Sequence, residues 1–385
     1  MPKVLLMSHT VPPLSIGVSF LLSRLFAFFP KDSYAVYTTY YMEKSHSGLD
    51  GLPCRYYYAP AHSIHKGYNS WSSLREWLEV APIVWKGLEI IKKEKISAIL
   101  ACPEIGNDIL SAYLMHKISN VSLALYFFDC YSEAQTRRFR KYLSGPIERM
   151  AINAASTIFV MSEALQKHYQ LKYGVRAILL PHPVDSENYL GIATNAKQKE
   201  YNHGQKKIIY TGMIYEAHYD SILNLVEAIR EIENIEFHIY SRKNIEQLKR
   251  IGICGKNVIH HGVVDQKRMA EIQMNADILF MPLAFNSPYP EIIKTASPGK
   301  LPEYLASGRP ILVHAPSNSY ISWYARKYGW ALVVDKLEKT KLKEAILRLT
   351  TDDVLQRSLI SNALATAAFH DSKRVADILQ RALHI

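Results

Sequence analysis

The sequence predicts an α/β protein built as two Rossmann-like domains, each a parallel sheet covered by helices. Three observations carry this expectation. The chain has 385 residues, long for one domain and sufficient for two of about 190 that each bury a core. Short β-like runs alternate with helical ones from end to end, the grammar of βαβ units. The alternation pauses at 185–204, a linker-like stretch rich in Asn, Gln, Lys and small residues, and then restarts.

In the first half, strands are expected at 3–8, 34–39, 98–102, 123–128, 157–161 and 177–180. Between them Leu74, Trp77, Leu78, Ala81, Trp85, Leu88 and Ile91 recur at helical spacing, as do Leu110, Leu114 and Ile118, and these faces read as core. In the second half, strands are expected at 208–211, 236–240, 258–260, 278–281, 311–313 and 331–334. A last helix from Ser372 sets Val375, Ile378, Leu379, Ala382 and Leu383 on one face, which must pack on something. The expected division is 1–185, 186–370 and a terminal helix in 371–385.

Composition narrows the function. Hydrophobic content of 48% with 21% charged residues fits a globular chain, and no apolar run reaches the roughly 18 to 20 residues that span a bilayer. The first strand begins within two residues of Met1, which leaves no room for a signal peptide, so a cytoplasmic protein is expected. Cys54, Cys102, Cys130 and Cys254 have neither zinc nor redox spacing and read as reduced core thiols. The net charge of +11 calls for an anionic partner. Nothing matches a zinc finger, an RNA-recognition signature or a basic zipper, so nucleic acid is not expected.

The densest chemistry lies in 297–313. Ser297 can cap a helix, Pro298 suits its first position, and Gly299 lets a ligand approach exposed N–H groups. Lys300 adds a cation, and Glu303 follows three residues later on the same helix face, placed to hold hydroxyls of the same ligand. Gly308-Arg-Pro310 ends the helix and Ile311-Leu-Val313 begins a buried strand.

The stretch Ser297-Pro-Gly-Lys-Leu-Pro-Glu-Tyr-Leu-Ala-Ser-Gly-Arg-Pro resembles the donor-site motif of retaining glycosyltransferases of family 4. The resemblance implies the GT-B fold: two Rossmann-like domains facing a cleft, with a C-terminal helix crossing back to the first. It implies a nucleotide-diphosphate sugar as donor, a UDP-sugar foremost, and no further cofactor. Gly299, Lys300 and Leu301 would meet the diphosphate and Glu303 the ribose. Weaker landmarks follow in order. Ser15-Ile-Gly17 stands at the family's glycine loop, Ile209-Tyr-Thr-Gly-Met213 opens the second half, and His261-Gly-Val-Val264 puts the backbone at Val263 and Val264 against the base. No Asp-x-Asp occurs, so no metal is expected.

Three departures matter. Relatives carry Arg after the glycine matching Gly212 and Lys six residues beyond it; here the residues are Met213 and His218, and a protonated His218 is the expected substitute. The family's first glutamate is replaced by Thr295, so N–H groups of Thr295, Ala296 and Ser297 are expected to meet the donor sugar. Phe128 replaces a histidine before Asp129, which reads either as an acceptor-side carboxylate or as a cap for 132–137. His9 is likewise an acceptor-side candidate or a surface-loop histidine.

Arg137, Arg138, Arg140 and Lys141, beside Phe139 and Tyr142, form the densest basic cluster, ahead of a separate helix after Gly145-Pro146. It reads either as a solvated helix face or as a patch against anionic membrane, which suits a saccharide acceptor linked to lipid. The resulting reading is a cytoplasmic, peripherally membrane-associated glycosyltransferase of cell-surface glycan assembly. Its rivals are a nucleotide-sugar epimerase of the same fold and a non-catalytic binding protein.

Overall fold

The structure, a computed structural model, describes residues 2–14, 17–39, 50–60, 77–104, 108–135, 138–195, 204–265 and 268–385. The chain divides into two compact units, Met1–Pro181 with Ser372–Ile385, and His182–Asp371.

The first unit is a seven-stranded, wholly parallel sheet: β1 (Val4–Ser8), β2 (Tyr34–Thr38), β3 (Arg55–Tyr58), β4 (Ala98–Cys102), β5 (Ser122–Phe127), β6 (Thr157–Val160) and β7 (Ile178–Leu179), in spatial order β3-β2-β1-β4-β5-β6-β7. A parallel sheet is covered on both faces, which is why Val4–Met7 of β1 are all apolar and the whole strand is buried. Its side chains alternate between two cores. Leu5 and Met7 join the one under helix Val80–Glu94, while Val4 and Leu6 join the one under helices Gly17–Phe26 and Ser372–Leu383. Val375, Ala376, Leu379 and Leu383 are buried there, so the C-terminal helix returns to the first unit.

Several sequence expectations are corrected here. β3 was absent from the reading because an edge strand with exposed ends carries little apolar signal. The 80–94 helix buries Ile83, Val84, Gly87, Ile90 and Ile91; of the expected stripe Ile91 is buried and Leu88 packs against the core, whereas Leu78, Ala81 and Trp85 are exposed and Leu74 lies outside the described residues. The branched stripe packs flush against the sheet, whereas Trp85 donates to Glu89 at 3.1 Å on the outer face. No helix break occurs at Gly145-Pro146: one helix runs Arg138–Ala154 through Pro146, losing only the single backbone bond that proline cannot donate. Buried Glu148 anchors this helix, accepting from Ser132 Oγ, Lys172 Nζ, Tyr169 OH and Tyr173 OH at 2.6–2.8 Å.

The second unit is a six-stranded parallel sheet, β8 (Lys206–Thr211), β9 (Ile235–Tyr240), β10 (Val258–His260), β11 (Ile278–Pro282), β12 (Ile311–His314) and β13 (Leu332–Val334), ordered β10-β9-β8-β11-β12-β13. Within 185–204, read as linker, a helix spans Ser186–Asn195, its start held by Asp185, whose Oδ1 accepts from Asn188 N at 3.2 Å. Residues 196–203 lie outside the described residues.

Candidate nucleotide-diphosphate site

At the carboxyl end of β8 the chain turns through Gly212 in a left-handed conformation, φ +118°. A Cβ there would come within 3.1 Å of Lys300 Cε and 3.2 Å of Nζ, so glycine leaves the space that the lysine occupies. Lys300 lies over the Tyr210 ring, its Nζ 3.8 Å from the centroid. Burial there pulls its ammonium down to about 7, against the opposing charge of Glu303. A lysine so poised recovers full charge when a phosphate arrives.

The run 297–300 does not form a helix start. The helix is Leu301–Ala306, Leu301 N bonds back to Pro298 O at 2.8 Å, and Pro302, not Pro298, occupies the first turn. Ser297 therefore caps nothing, and its buried Oγ has no partner. Among the described residues the backbone N–H groups of Ser297, Gly299 and Lys300 meet no protein acceptor, so three donors and an ammonium converge on one loop, an anion cradle in composition. The helix is displaced because the preceding one, Pro290–Thr295, ends late and feeds straight into the loop. The donor-sugar expectation is corrected at Ala296, and the Thr295 hydroxyl is turned back into its own helix. Ala296 N is spent on Ile292 O at 2.7 Å, and Thr295 Oγ1 on Glu291 O at 2.9 Å.

Glu303 is buried, and its Oε2 accepts from Gln273 Nε2 at 3.0 Å. Gln273 Oε1 accepts in turn from Tyr189 OH at 2.6 Å. Thr211 N donates to Tyr304 OH at 3.0 Å, fixing the β8 end against the same helix. Sequence reading missed Gln273, Tyr189, Tyr210 and Tyr304. Gln273 was findable as a polar residue set between Ile272 and the Ala276-Asp-Ile strand entry; Tyr304 and Tyr210 lie inside the quoted motif stretches without a role assigned to them, and Tyr189 carries no sequence signal beyond the apolar pattern.

His218 is corrected. It is buried with Nδ1 unpartnered, packed edge-on against Tyr215 at 4.6 Å, and desolvation together with the Lys300 charge holds it well below its ordinary value. It is a neutral imidazole, not a second cation. Val263 is exposed and Val264 half-buried on the loop after β10, beside His261, which stacks on Tyr240 at 4.3 Å.

In the first unit, Gly17 opens helix Gly17–Phe26, with Ser15 and Ile16 outside the described residues. Asp129 is exposed beyond β5 and caps nothing among the described residues. His9 is buried, with Nδ1 2.9 Å from Thr39 Oγ1, and is no surface-loop histidine. The basic cluster is not a continuous surface. Arg140 is buried against Asp108, Lys141 is exposed, Arg137 lies outside the described residues, and the side chain of Arg138 is likewise undescribed. Cys130, Glu133 and His168 bring one ligating atom each within 4.8 Å of one another, although the Lys172 ammonium already sits 2.8 Å from Glu133 Oε1.

No protein-family model matches the chain, and no curated protein matches it in sequence. Solved structures match over nearly its whole length. HepE of Anabaena, in complex with UDP and glucose, aligns over 100% of both chains with a TM-score of 0.69 at 14% identity. A sucrose-phosphate synthase from Thermosynechococcus elongatus covers 99% of this chain and 98% of its own, with a TM-score of 0.68 at 15% identity. A UDP-N-acetylglucosamine 2-epimerase described as putative, from Listeria monocytogenes, covers 98% and 94%, with a TM-score of 0.61 at 14% identity. With two parallel α/β sheets, this likeness defines the fold as GT-B. It is a likeness of fold.

Proposed function

We propose that the protein is a glycosyltransferase that draws a sugar from a nucleotide-diphosphate donor, a UDP-sugar foremost. The observation that carries this is the pairing of a desolvated Lys300 beside Gly212 with a buried, Gln273-held Glu303 on the same short helix. The cation and the loop N–H groups suit a diphosphate, and the carboxylate suits the ribose diol. HepE, of the same fold, was crystallised with UDP and glucose. As the diphosphate departs, negative charge grows on it, and donors already oriented stabilise that charge without reorganising.

Glu303→Ala is expected to weaken UDP binding by about 1 to 3 kcal/mol, because a charge-assisted hydrogen bond to the ribose is lost. It should leave binding of inorganic pyrophosphate, which has no ribose, unchanged. Calorimetry with both ligands checks this, and equal losses would move Glu303 off the ribose.

Retention at the anomeric carbon, family-4 membership, a metal-independent reaction, a saccharide or lipid-linked acceptor, a role in surface-glycan assembly and peripheral residence on the cytoplasmic membrane face complete the reading. EDTA is expected to leave UDP release intact, and loss of activity with rescue by manganese contradicts this. Burial of Arg140 removes one cation from the membrane patch, so docking on anionic lipid rests on Arg137, Arg138 and Lys141. The epimerase-like fold match supports a second reading, 2-epimerisation of UDP-N-acetylglucosamine. Product analysis by proton NMR separates the two, since an epimerase returns an intact nucleotide-sugar and a transferase releases UDP.

A further inference from the structure

We propose that Cys130, Glu133 and His168 bind a zinc ion within the first unit, with water as the fourth ligand. The site is separate from the nucleotide-sugar reading and does not rest on it. Cys130 and Glu133 share one turn beyond β5, closed by Ala134 N donating to Cys130 O at 3.0 Å. Three residues apart on such a turn, their side chains leave it on one side. His168 comes from the helix Glu163–Tyr173, which follows β6, the neighbour of β5. The carboxyl ends of two adjacent strands therefore supply the turn and the helix.

One donor atom from each of the three residues lies within 4.8 Å of the other two. His168 Nε2 stands 3.4 Å from Glu133 Oε1 and is buried with no hydrogen-bond partner. That separation is the edge of a tetrahedral zinc site, since two N or O donors about 2.0 to 2.2 Å from the metal lie about 3.4 Å apart. Thiolate, imidazole and carboxylate are donor types that zinc takes together. The Glu133 and His168 side chains keep 25% and 19% of their surface, so water reaches the fourth position, the open arrangement of a three-ligand site. Glu133 is already oriented, because Ser132 Oγ donates to its Oε2 at 3.0 Å and leaves Oε1 toward His168.

Lys172 is the competing cation. Its Nζ lies 2.8 Å from Glu133 Oε1, but also 2.8 Å from Glu148 Oε2 and 2.5 Å from Ser132 Oγ. When zinc takes Glu133, the ammonium keeps Glu148, the more buried of its two carboxylates. Pinning the turn to the helix needs only Lys172, Ser132 and Glu148; it has no use for a thiol and an imidazole gathered beside Glu133. The Cys130 sulfur, and after it the Glu133 carboxylate, push the His168 imidazole up to about 10, so without metal a proton holds the place of the cation. As zinc binds, that proton and the thiol proton leave to solvent. The ion ties the turn to the helix and takes no part in sugar transfer, so the expected resistance to EDTA is unaffected.

The test uses the full chain free of any affinity tag, titrated with cobalt(II) and, separately, loaded with zinc. A single cobalt ion per chain is expected, with the near-ultraviolet charge-transfer band of a thiolate ligand. Cys130→Ser should abolish the band, and Glu133→Gln and His168→Gln should each weaken cobalt binding about tenfold or more, with circular dichroism confirming that each variant is folded. Cys54, Cys102 and Cys254 remain in the Cys130→Ser variant, and the His238–His261 pair, with ring nitrogens 2.9 Å apart, offers no sulfur. Neither can mimic the signature. X-ray absorption at the zinc edge needs no variant: the wild type should show one sulfur at about 2.3 Å among nitrogen and oxygen ligands. A wild-type chain with no thiolate band in excess cobalt, a band that survives in Cys130→Ser, wild-type affinity in both Gln variants, or a zinc shell without sulfur overturns the proposal.

Discussion

Lys300→Ala is expected to lower turnover of the nucleotide-sugar by about 10²- to 10³-fold, the scale of losing one preorganised group at a site of developing charge. Donor affinity should fall by less, because the diphosphate carries more negative charge in the transition state than in the ground state. The lysine's setting adds a second signature. Held near 7 over the Tyr210 ring, it is largely neutral at pH 8 in the free protein. A bound diphosphate raises that value, so binding at pH 8 should take up a proton. Calorimetry in buffers of different ionisation enthalpy measures the uptake, which should vanish in the alanine variant. For stability the sign is the reverse. The unfolded chain holds the lysine proton up to about 10.5, so the unliganded protein gains stability from this group as pH rises from 7 toward that value.

Glu148→Ala is expected to cost the first unit about 3 kcal/mol, since removing one partner of a buried ion pair leaves the rest uncompensated. The carboxylate is fully buried and receives Lys172, Tyr169, Tyr173 and Ser132. Without it two tyrosine hydroxyls lose their acceptor, while Lys172 keeps Glu133 at 2.8 Å. Glu148→Gln, which still accepts hydrogen bonds, should lose less. Urea unfolding checks both, and UDP binding by the second unit should persist below the transition. An alanine variant that unfolds at the wild-type midpoint would mean that the network contributes nothing net.

The two parallel α/β sheets were legible because parallel strands buried on both faces write themselves as unbroken apolar runs, as Val4-Leu5-Leu6-Met7 and Ile311-Leu-Val313 do, while GT-B itself came from the resemblance of 297–310. β3 was not, since Arg55-Tyr-Tyr-Tyr58 is an edge strand whose pattern has no period. The helix at 80–94 was legible as a helix but not in its facing, because Trp85 and Leu78 outweigh Val84 and Gly87 in hydrophobicity yet point outward. In the site, Lys300 and Glu303 stood out through the motif that 297–310 resembles, and the structure sets them on one short helix and its start. The state of Lys300 did not stand out, for it depends on Tyr210 and Gly212, some ninety residues earlier. His218 was read as a cation because sequence gives a histidine its ordinary titration, whereas desolvation and the neighbouring ammonium decide it here.

The central claim, that the Gly212, Lys300 and Glu303 constellation holds a nucleoside diphosphate, is tested most directly by calorimetric titration of UDP into the wild-type protein and the Lys300→Ala and Glu303→Ala variants. The account predicts saturable wild-type binding at one site, weakened about fivefold or more in Glu303→Ala and stripped of proton uptake in Lys300→Ala. Wild-type protein that takes up no UDP, or variants that bind it as the wild type does, would contradict it.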